Sequence, residues 1–179
     1  MASELFLITT LREVAWALNE RRMDYALAGG LAYSALVEPR ATTDVDVLIL
    51  LEATSPDQVA LLFSGVFDSV VPHRAPMPFK GVSIWRVIGI KDEREVIVDL
   101  LLAQSEFHRQ ALTRKRIVEF QGLALPIVTL EDLILLKSMA GRLQDLADIE
   151  HISQQLDLQV DWPYVEAWRD KLGLPVIRP

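Results

Sequence analysis

Cysteine is absent from the 179 residues, which excludes disulfides and Cys-based zinc sites and makes a reducing, cytoplasmic setting the expectation. Long apolar runs are absent too. The longest, 96–103, is interrupted by Asp99 and falls far short of the roughly 18 residues of a membrane span. The opening Met1-Ala2-Ser3-Glu4-Leu5 has no basic region ahead of an apolar stretch, so it does not read as a signal peptide. Basic residues are in the minority, 18 against 25 acidic, for a formal net charge of −7. That balance argues against non-specific DNA binding, which runs on phosphate neutralisation. The best local basic patch is Arg114-Lys115-Arg116 with Arg109 nearby, which a solvated face or an RNA acceptor would each explain. His73, His108 and His151 are scattered without metal-ligand spacing and read as structural or surface residues.

What is present is a chain about half hydrophobic, with no repeat and no low-complexity segment, long enough for one catalytic core with a helical annex. Residues 3–22 carry Leu7, Leu11, Val14, Ala15 and Leu18 at helical spacing. A short strand at 25–28 leads into Gly29-Gly30 and a helix ending before Pro39. The run 44–51 reads as a buried strand, and Ser55-Pro56 as the cap and first turn of another helix. Strands are expected at 82–89 and 95–102 around the turn Lys91-Asp92-Glu93-Arg94, then a hairpin at 116–120 and 123–128. From Thr129 the pattern turns helical: 129–140, a break at Gly141, 142–156, and a last helix opened by Asp161-Trp162-Pro163, whose Trp162 and Trp168 belong in the core or an interface. The class is α/β (α+β) with a mixed sheet flanked by helices, divided as a core over 1–128 and a C-terminal helical extension over 129–179.

Asp44-Val45-Asp46-Val47 puts two acids at i and i+2, on one face of an otherwise apolar strand. Mutual repulsion and desolvation raise at least one pKa there unless a cation intervenes, and a hard divalent ion such as Mg2+ (or Mn2+) suits carboxylates. The bland alternative is a strand that begins in solvent. Asp99 lies inside 95–102 on the side of Ile97 and Leu101, where an unpaired carboxylate costs several kcal/mol. Either it joins the first two acids around metal, as two-metal phosphoryl transfer requires, or it pairs with an arginine inside the fold. Gly29-Gly30, between a strand and a helix N-terminus, lets backbone N–H groups approach phosphate, although neither the P-loop nor the dinucleotide fingerprint is present.

Taken together, Ala28-Gly29-Gly30, thirteen residues, then Asp44-Val45-Asp46-Val47, resembles the signature of the polymerase-beta-like nucleotidyltransferase superfamily. The resemblance implies a glycine turn (Gly29, Gly30) holding a nucleoside triphosphate, Asp44 and Asp46 binding metal, and Asp99 as third ligand or base for the acceptor hydroxyl. Arg40-Ala41-Thr42-Thr43-Asp44-Val45-Asp46 and the segment from Leu136 to Ile149 are similar to the bacterial abortive-infection (AbiEii-type) toxin branch. That likeness implies nucleotide-binding roles for Arg40, Thr43, Lys137 and Asp145, and an antitoxin or second subunit as partner. Gly30 departs from the branch by replacing its serine, and the length is nearer the small aminoglycoside nucleotidyltransferases. Periodicity alone puts Lys137 on the apolar stripe of its helix and Asp145 on the core side of the next, so a purely structural Lys137–Asp145 pair is the alternative; Arg142 and Asp148 fit an ordinary helix-end cluster, Asp148 being the weaker candidate for the site. The expected activity is metal-dependent transfer of a nucleoside monophosphate to a hydroxyl acceptor (RNA, protein or small molecule) with release of pyrophosphate. The rival is a catalytically silent protein of the same fold that binds a nucleotide or a partner in a toxin–antitoxin system.

Overall fold

The computed structural model describes residues 2–53 and 55–176; position 1 and positions 177–179, the ends of the two expected units, lie outside the described residues. Helix α1 (Ala2–Glu20) buries Leu7, Leu11, Val14, Ala15 and Leu18, the stripe its sequence spacing anticipates. Strand β1 (Asp24–Leu27) runs into α2 (Gly29–Leu36), and β2 (Asp44–Leu50) is followed by α3 (Pro56–Leu62), whose first turn Ser55 caps by accepting from the Gln58 N–H. Then come β3 (Ser69–Pro72), β4 (Met77–Phe79), β5 (Val82–Lys91), β6 (Arg94–Leu102), α4 (Glu106–Arg114), β7 (Arg116–Phe120) and β8 (Leu123–Ile127). Three helices close the described chain: α5 (Leu130–Ala140), α6 (Leu143–Gln154) and α7 (Trp162–Leu172).

The strands form one eight-stranded mixed sheet in the order β3-β5-β6-β2-β1-β8-β7, with β4 on the free stretch of β5. β2 lies parallel to β6 and β1 parallel to β8, while the other pairs are antiparallel. Central β2 is paired on both edges and packed against α2 and α4, and Val45, Val47, Leu48 and Ile49, on its two faces, are fully buried. Burial of each contributes about 1.5–3 kcal/mol relative to exposure. Leu133, Ile134, Ile149, Ile152 and Val165 of the last three helices belong to the same core cluster as the sheet.

The mixed architecture expected from the sequence is the one observed. Three elements go beyond that reading. β3 and β4 are only four and three residues long and contain Pro72 and Pro78, so they lack the run length and the unbroken donors by which strands are recognised. α4 is half polar, with Phe107, His108, Ala111 and Leu112 making its buried face.

Candidate active site

The site begins with a backbone constraint. Gly29, at φ +57°, opens α2 in the left-handed region, where an L side chain is strained. A Cβ there would lie 1.9 Å from Oδ2 of Asp46. The backbone confirms the contact: the Ala28 N–H donates to the Asp46 carbonyl at 2.9 Å, and the Gly30 N–H donates to the Asp46 carboxylate. A Cβ on Gly30 would meet Thr42 Oγ1 at 2.8 Å. The glycine turn is therefore packed against the acidic strand, with nothing larger than hydrogen between them.

The parallel pairing of β2 with β6 sets Asp46 beside Asp99 and Asp44 beside Ile97. Burial, then the charges of Asp99 and Asp44, push the Asp46 carboxyl up to about 6, against which Arg142 and the Gly30 N–H act. Asp99 is held from the other side. Arg86 stands opposite it across the β5–β6 hairpin and grips both oxygens, Nε to Oδ1 at 2.8 Å and Nη2 to Oδ2 at 2.7 Å. Among the described residues, three or more ligand-type side chains do not gather into a ready-made metal cage. Two carboxylates facing one cavity, Asp46 and Asp99, nevertheless fit an ion that keeps several waters and completes its shell with phosphate oxygens, as Mg2+ does. Asp44 is outside the cavity lining, two positions before Asp46 on β2, its Oδ1 accepting from Thr43 Oγ1 at 2.9 Å.

The cationic side is built by α5 and α6. Thr129 caps α5 by accepting from the Asp132 N–H, and Gly141, left-handed at φ 58°, ends it with its N–H on the Lys137 carbonyl. Lys137 is buried. Its ammonium donates to Asp148 Oδ2 at 2.6 Å and lies 3.7 Å from Asp145 Oδ1. Asp148, read from the sequence as the weaker candidate, is the hub: it also accepts from Arg40 Nη1 at 2.5 Å and Gln144 Nε2 at 3.0 Å. Periodicity points to Asp145 as the partner of Lys137; the structure corrects this, since Asp148 makes the close contact and Asp145 the longer one. Asp145 instead accepts from Arg142 Nε at 2.7 Å and from the Arg142 backbone N–H, capping α6.

These side chains surround a cavity of about 400 Å3 lined by Gly29, Asp46, Arg86, Asp99, Lys137, Arg142 and Asp145, with an apolar remainder. Seven of the nine residues singled out from the sequence are thus beside or in contact with one another: Gly29, Gly30, Asp44, Asp46, Asp99, Lys137 and Asp145. Arg40 joins them too: it holds Asp148, its guanidinium lies over the Tyr33 ring at 5.2 Å, and its Nη2 is 3.4 Å from where a Cβ on Gly30 would stand. Thr43 meets Asp44, and the neighbouring Thr42 is the threonine against the glycine turn. Arg86 was not singled out as the partner of Asp99.

Elsewhere, two of the four residues of the basic patch are held in internal pairs. Arg114 holds Glu131 and Asp132, and Lys115 holds Asp24. His108 is buried, its proton affinity lowered by desolvation to a pKa of about 4, and Trp162 and Trp168 pack on the core.

The chain has the fold of a solved candidate nucleotidyltransferase from Thermotoga maritima, with a TM-score of 0.54 at 15% identity over 80% of this chain and 90% of that one. The antibiotic-resistance factor ANT(2'')-Ia is similar in two structures, one in complex with adenylyl-2''-tobramycin, with TM-scores of 0.46 and 0.49 and identities of 11% and 12%. These cover 94% and 92% of this chain and 93% and 82% of those chains, a likeness too loose to assign an acceptor. No curated protein matches the sequence. A family model does, over residues 7–167, a span that takes in the glycine turn, all three carboxylates, α5 and α6. The chain belongs to the family described as nucleotidyl transferase of unknown function (DUF2204).

Proposed function

We propose that the chain moves a nucleoside monophosphate from a nucleoside triphosphate to a hydroxyl acceptor and releases pyrophosphate, with Mg2+ or Mn2+ held between Asp46 and Asp99 and supported by Asp44. The observation that carries this reading is the register of β2 on β6, which sets Asp46 beside Asp99 while Gly29 lies against Asp46. Phosphate-binding backbone and metal-type carboxylates therefore share one surface. The metal would draw charge from the phosphate oxygens and offset the repulsion among the acids.

The protein's own groups do the positioning. The N-terminal end of α2, apart from the Gly30 N–H that Asp46 holds, would face the β- and γ-phosphates, and Arg142, whose side chain is 68% exposed, would swing onto the departing pyrophosphate. Arg86 fixes the Asp99 carboxylate in plane, leaving its outer lone pairs free to take the acceptor proton. Lys137, locked on Asp148, supports α6 and adds positive potential behind the site. The rival reading of a silent binding protein is not favoured, since no acid is missing. An antitoxin or second subunit stands on the resemblance to the toxin branch alone.

The test is thermal unfolding with each nucleoside triphosphate, with and without Mg2+, for wild type and Asp46→Asn. A ligand at a hundred times its Kd adds about 2.7 kcal/mol, a shift of a few degrees for a chain of this size. A Mg2+-dependent rise lost in the variant is expected; no rise with any triphosphate defeats the reading.

A further inference from the structure

The cavity changes character beyond Asp99. On the glycine side it is polar. Past Asp99 and Arg86 its walls are Val82 and Ile84 of β5, Leu101 of β6, Met77 and Phe79 of β4, and Met139 of α5, with Lys80 of the β4–β5 turn as the charged residue at the far end. Strand alternation explains the continuity: Val82 and Ile84 share the face of Arg86, and Leu101 shares that of Asp99. The far end is latched, because Lys80 Nζ donates at 2.7 Å to the Ala140 carbonyl and ties the β4–β5 turn to the end of α5. A Cβ on Gly81 would come within 3.3 Å of the Met139 methyl group.

We propose that this apolar compartment receives the acceptor, and that the acceptor is a small uncharged hydroxyl compound with an apolar, preferably aromatic, body. The proposal rests on the nucleotidyl-transfer reading and names its substrate class. In-line displacement at the α-phosphorus fixes the side: the attacking oxygen stands opposite the leaving pyrophosphate. Across the sheet the order is the Gly29 turn after β1, Asp46 on β2, Asp99 on β6, then Arg86 and the apolar wall on β5. Pyrophosphate at the glycine turn therefore puts the attacking hydroxyl on the Asp99 side, at the mouth of the compartment. The new oxygen–phosphorus bond forms as the bond to the bridging oxygen breaks, pyrophosphate departs, and the hydroxyl proton passes to Asp99 and on to water.

Charge selects the class. A polycationic acceptor needs several carboxylates around its body, yet the walls past Asp99 (Val82, Ile84, Leu101, Met77, Phe79 and Met139) carry none. An RNA needs a broad cationic surface, yet Arg114 and Lys115 are engaged in ion pairs, Lys80 is the one cation among the described residues that lines the cavity past Arg86, and the net charge is −7. Thioether and ring walls suit an aromatic body.

The probe is 4-propylphenol, followed by ligand-observed NMR and by transfer of label from α-phosphate-labelled nucleoside triphosphates. Binding should persist at saturating Mg2+–triphosphate and yield a labelled phenol adduct with pyrophosphate. It should weaken at least fivefold in Phe79→Ser and Met77→Ser, positions already 37% and 40% exposed, with Tm showing that each variant folds. A protein that binds triphosphate but not the phenol overturns this proposal alone. Displacement of the phenol by the nucleotide overturns it too, making the compartment the base pocket. Labelling of tobramycin or tRNA with none of the phenol has the same force. A protein that binds the phenol but no triphosphate overturns the transfer reading and the acceptor role with it.

Discussion

Gly29 and Asp46 share a volume with room for one side chain. Asp46 takes it, since a Cβ on Gly29 would stand 1.9 Å from its Oδ2 and 2.5 Å from its Cγ. Gly29→Ala must push the carboxylate aside and hold alanine at φ +57°, which by itself costs about 1–2 kcal/mol. The expected result is a Tm lower by several degrees and no Mg2+-dependent response to any triphosphate. Gly30→Ala should be milder, because its Cβ meets the rotatable hydroxyl of Thr42 and its φ is not positive. Equal nucleotide binding by Gly29→Ala and wild type, read by thermal shift, would contradict the packing.

Asp46 sets a pH dependence of opposite sign for stability and for activity. Its carboxyl is raised from 3.8 to about 6, so the folded state holds that proton more tightly than the unfolded chain. The stabilisation is fully present below pH 3.8 and is lost as pH rises through about 6. Without metal, Asp46→Asn should therefore be more stable than wild type at pH 8, with the gap closing by pH 4. Activity runs the other way: a proton competes with the cation, so kcat/KM should climb about tenfold per pH unit up to roughly 6 and then level. Urea titrations at both pH values check the first half. An Asn variant no more stable at pH 8 would show that burial and the neighbouring acids do not penalise the ionised carboxylate.

Much of this was legible in the sequence because each signal had a local cause. Gly29-Gly30, the i, i+2 acids and the Ser55, Thr129 and Asp161 caps depend on neighbours in the chain, and all fall where expected. Arg86 was legible in principle. Asp92 and Glu93 both adopt positive φ, making a two-residue hairpin turn, and counting outward from it sets Arg86 opposite Asp99. Asp148 was not, since its role depends on how α6 is rotated against α5 and on Arg40 arriving from 108 positions away. Short β3 and β4 exist through pairing with β5, a tertiary cause that their own residues do not carry.

Arg86 and Asp99 should be energetically coupled. With Asp99 buried and the Arg86 side chain 37% exposed, a double-mutant cycle of Arg86→Met and Asp99→Asn is expected to give about 1–2 kcal/mol, below the range for fully buried pairs. Label transfer should drop in Arg86→Met more than triphosphate binding does, since Arg86 orients the acceptor-side carboxylate. A coupling near zero would mean that the bidentate contact is not maintained in solution.

Asp148 and Asp145 make the sharpest comparison. Both lie on α6 near Lys137, and sequence spacing favoured Asp145, but the oxygens of Asp148 are shared by Lys137, Arg40 and Gln144. Burial alone would push its carboxyl up; the bonds from Lys137, Gln144 and Arg40 outweigh that and hold it below the ordinary range. A lowered folded-state pKa means stability that is present above 3.8 and lost as pH falls through the folded value. Asp148→Asn leaves the buried Lys137 ammonium without its nearest anion, a change that typically costs about 3–5 kcal/mol. Asp145→Asn chiefly releases Arg142, which can return to water, so about 1–2 kcal/mol is the expected loss. Urea unfolding at pH 7 should therefore rank Asp148→Asn well below Asp145→Asn, with the Asp148→Asn deficit shrinking towards pH 3. Freed from Asp148, Arg40 also loosens the 39–43 loop that carries Thr42 against Gly30, so the KM for triphosphate should rise in Asp148→Asn. Equal losses in the two variants would return the pairing to Asp145 and remove the link between α6 and the glycine turn.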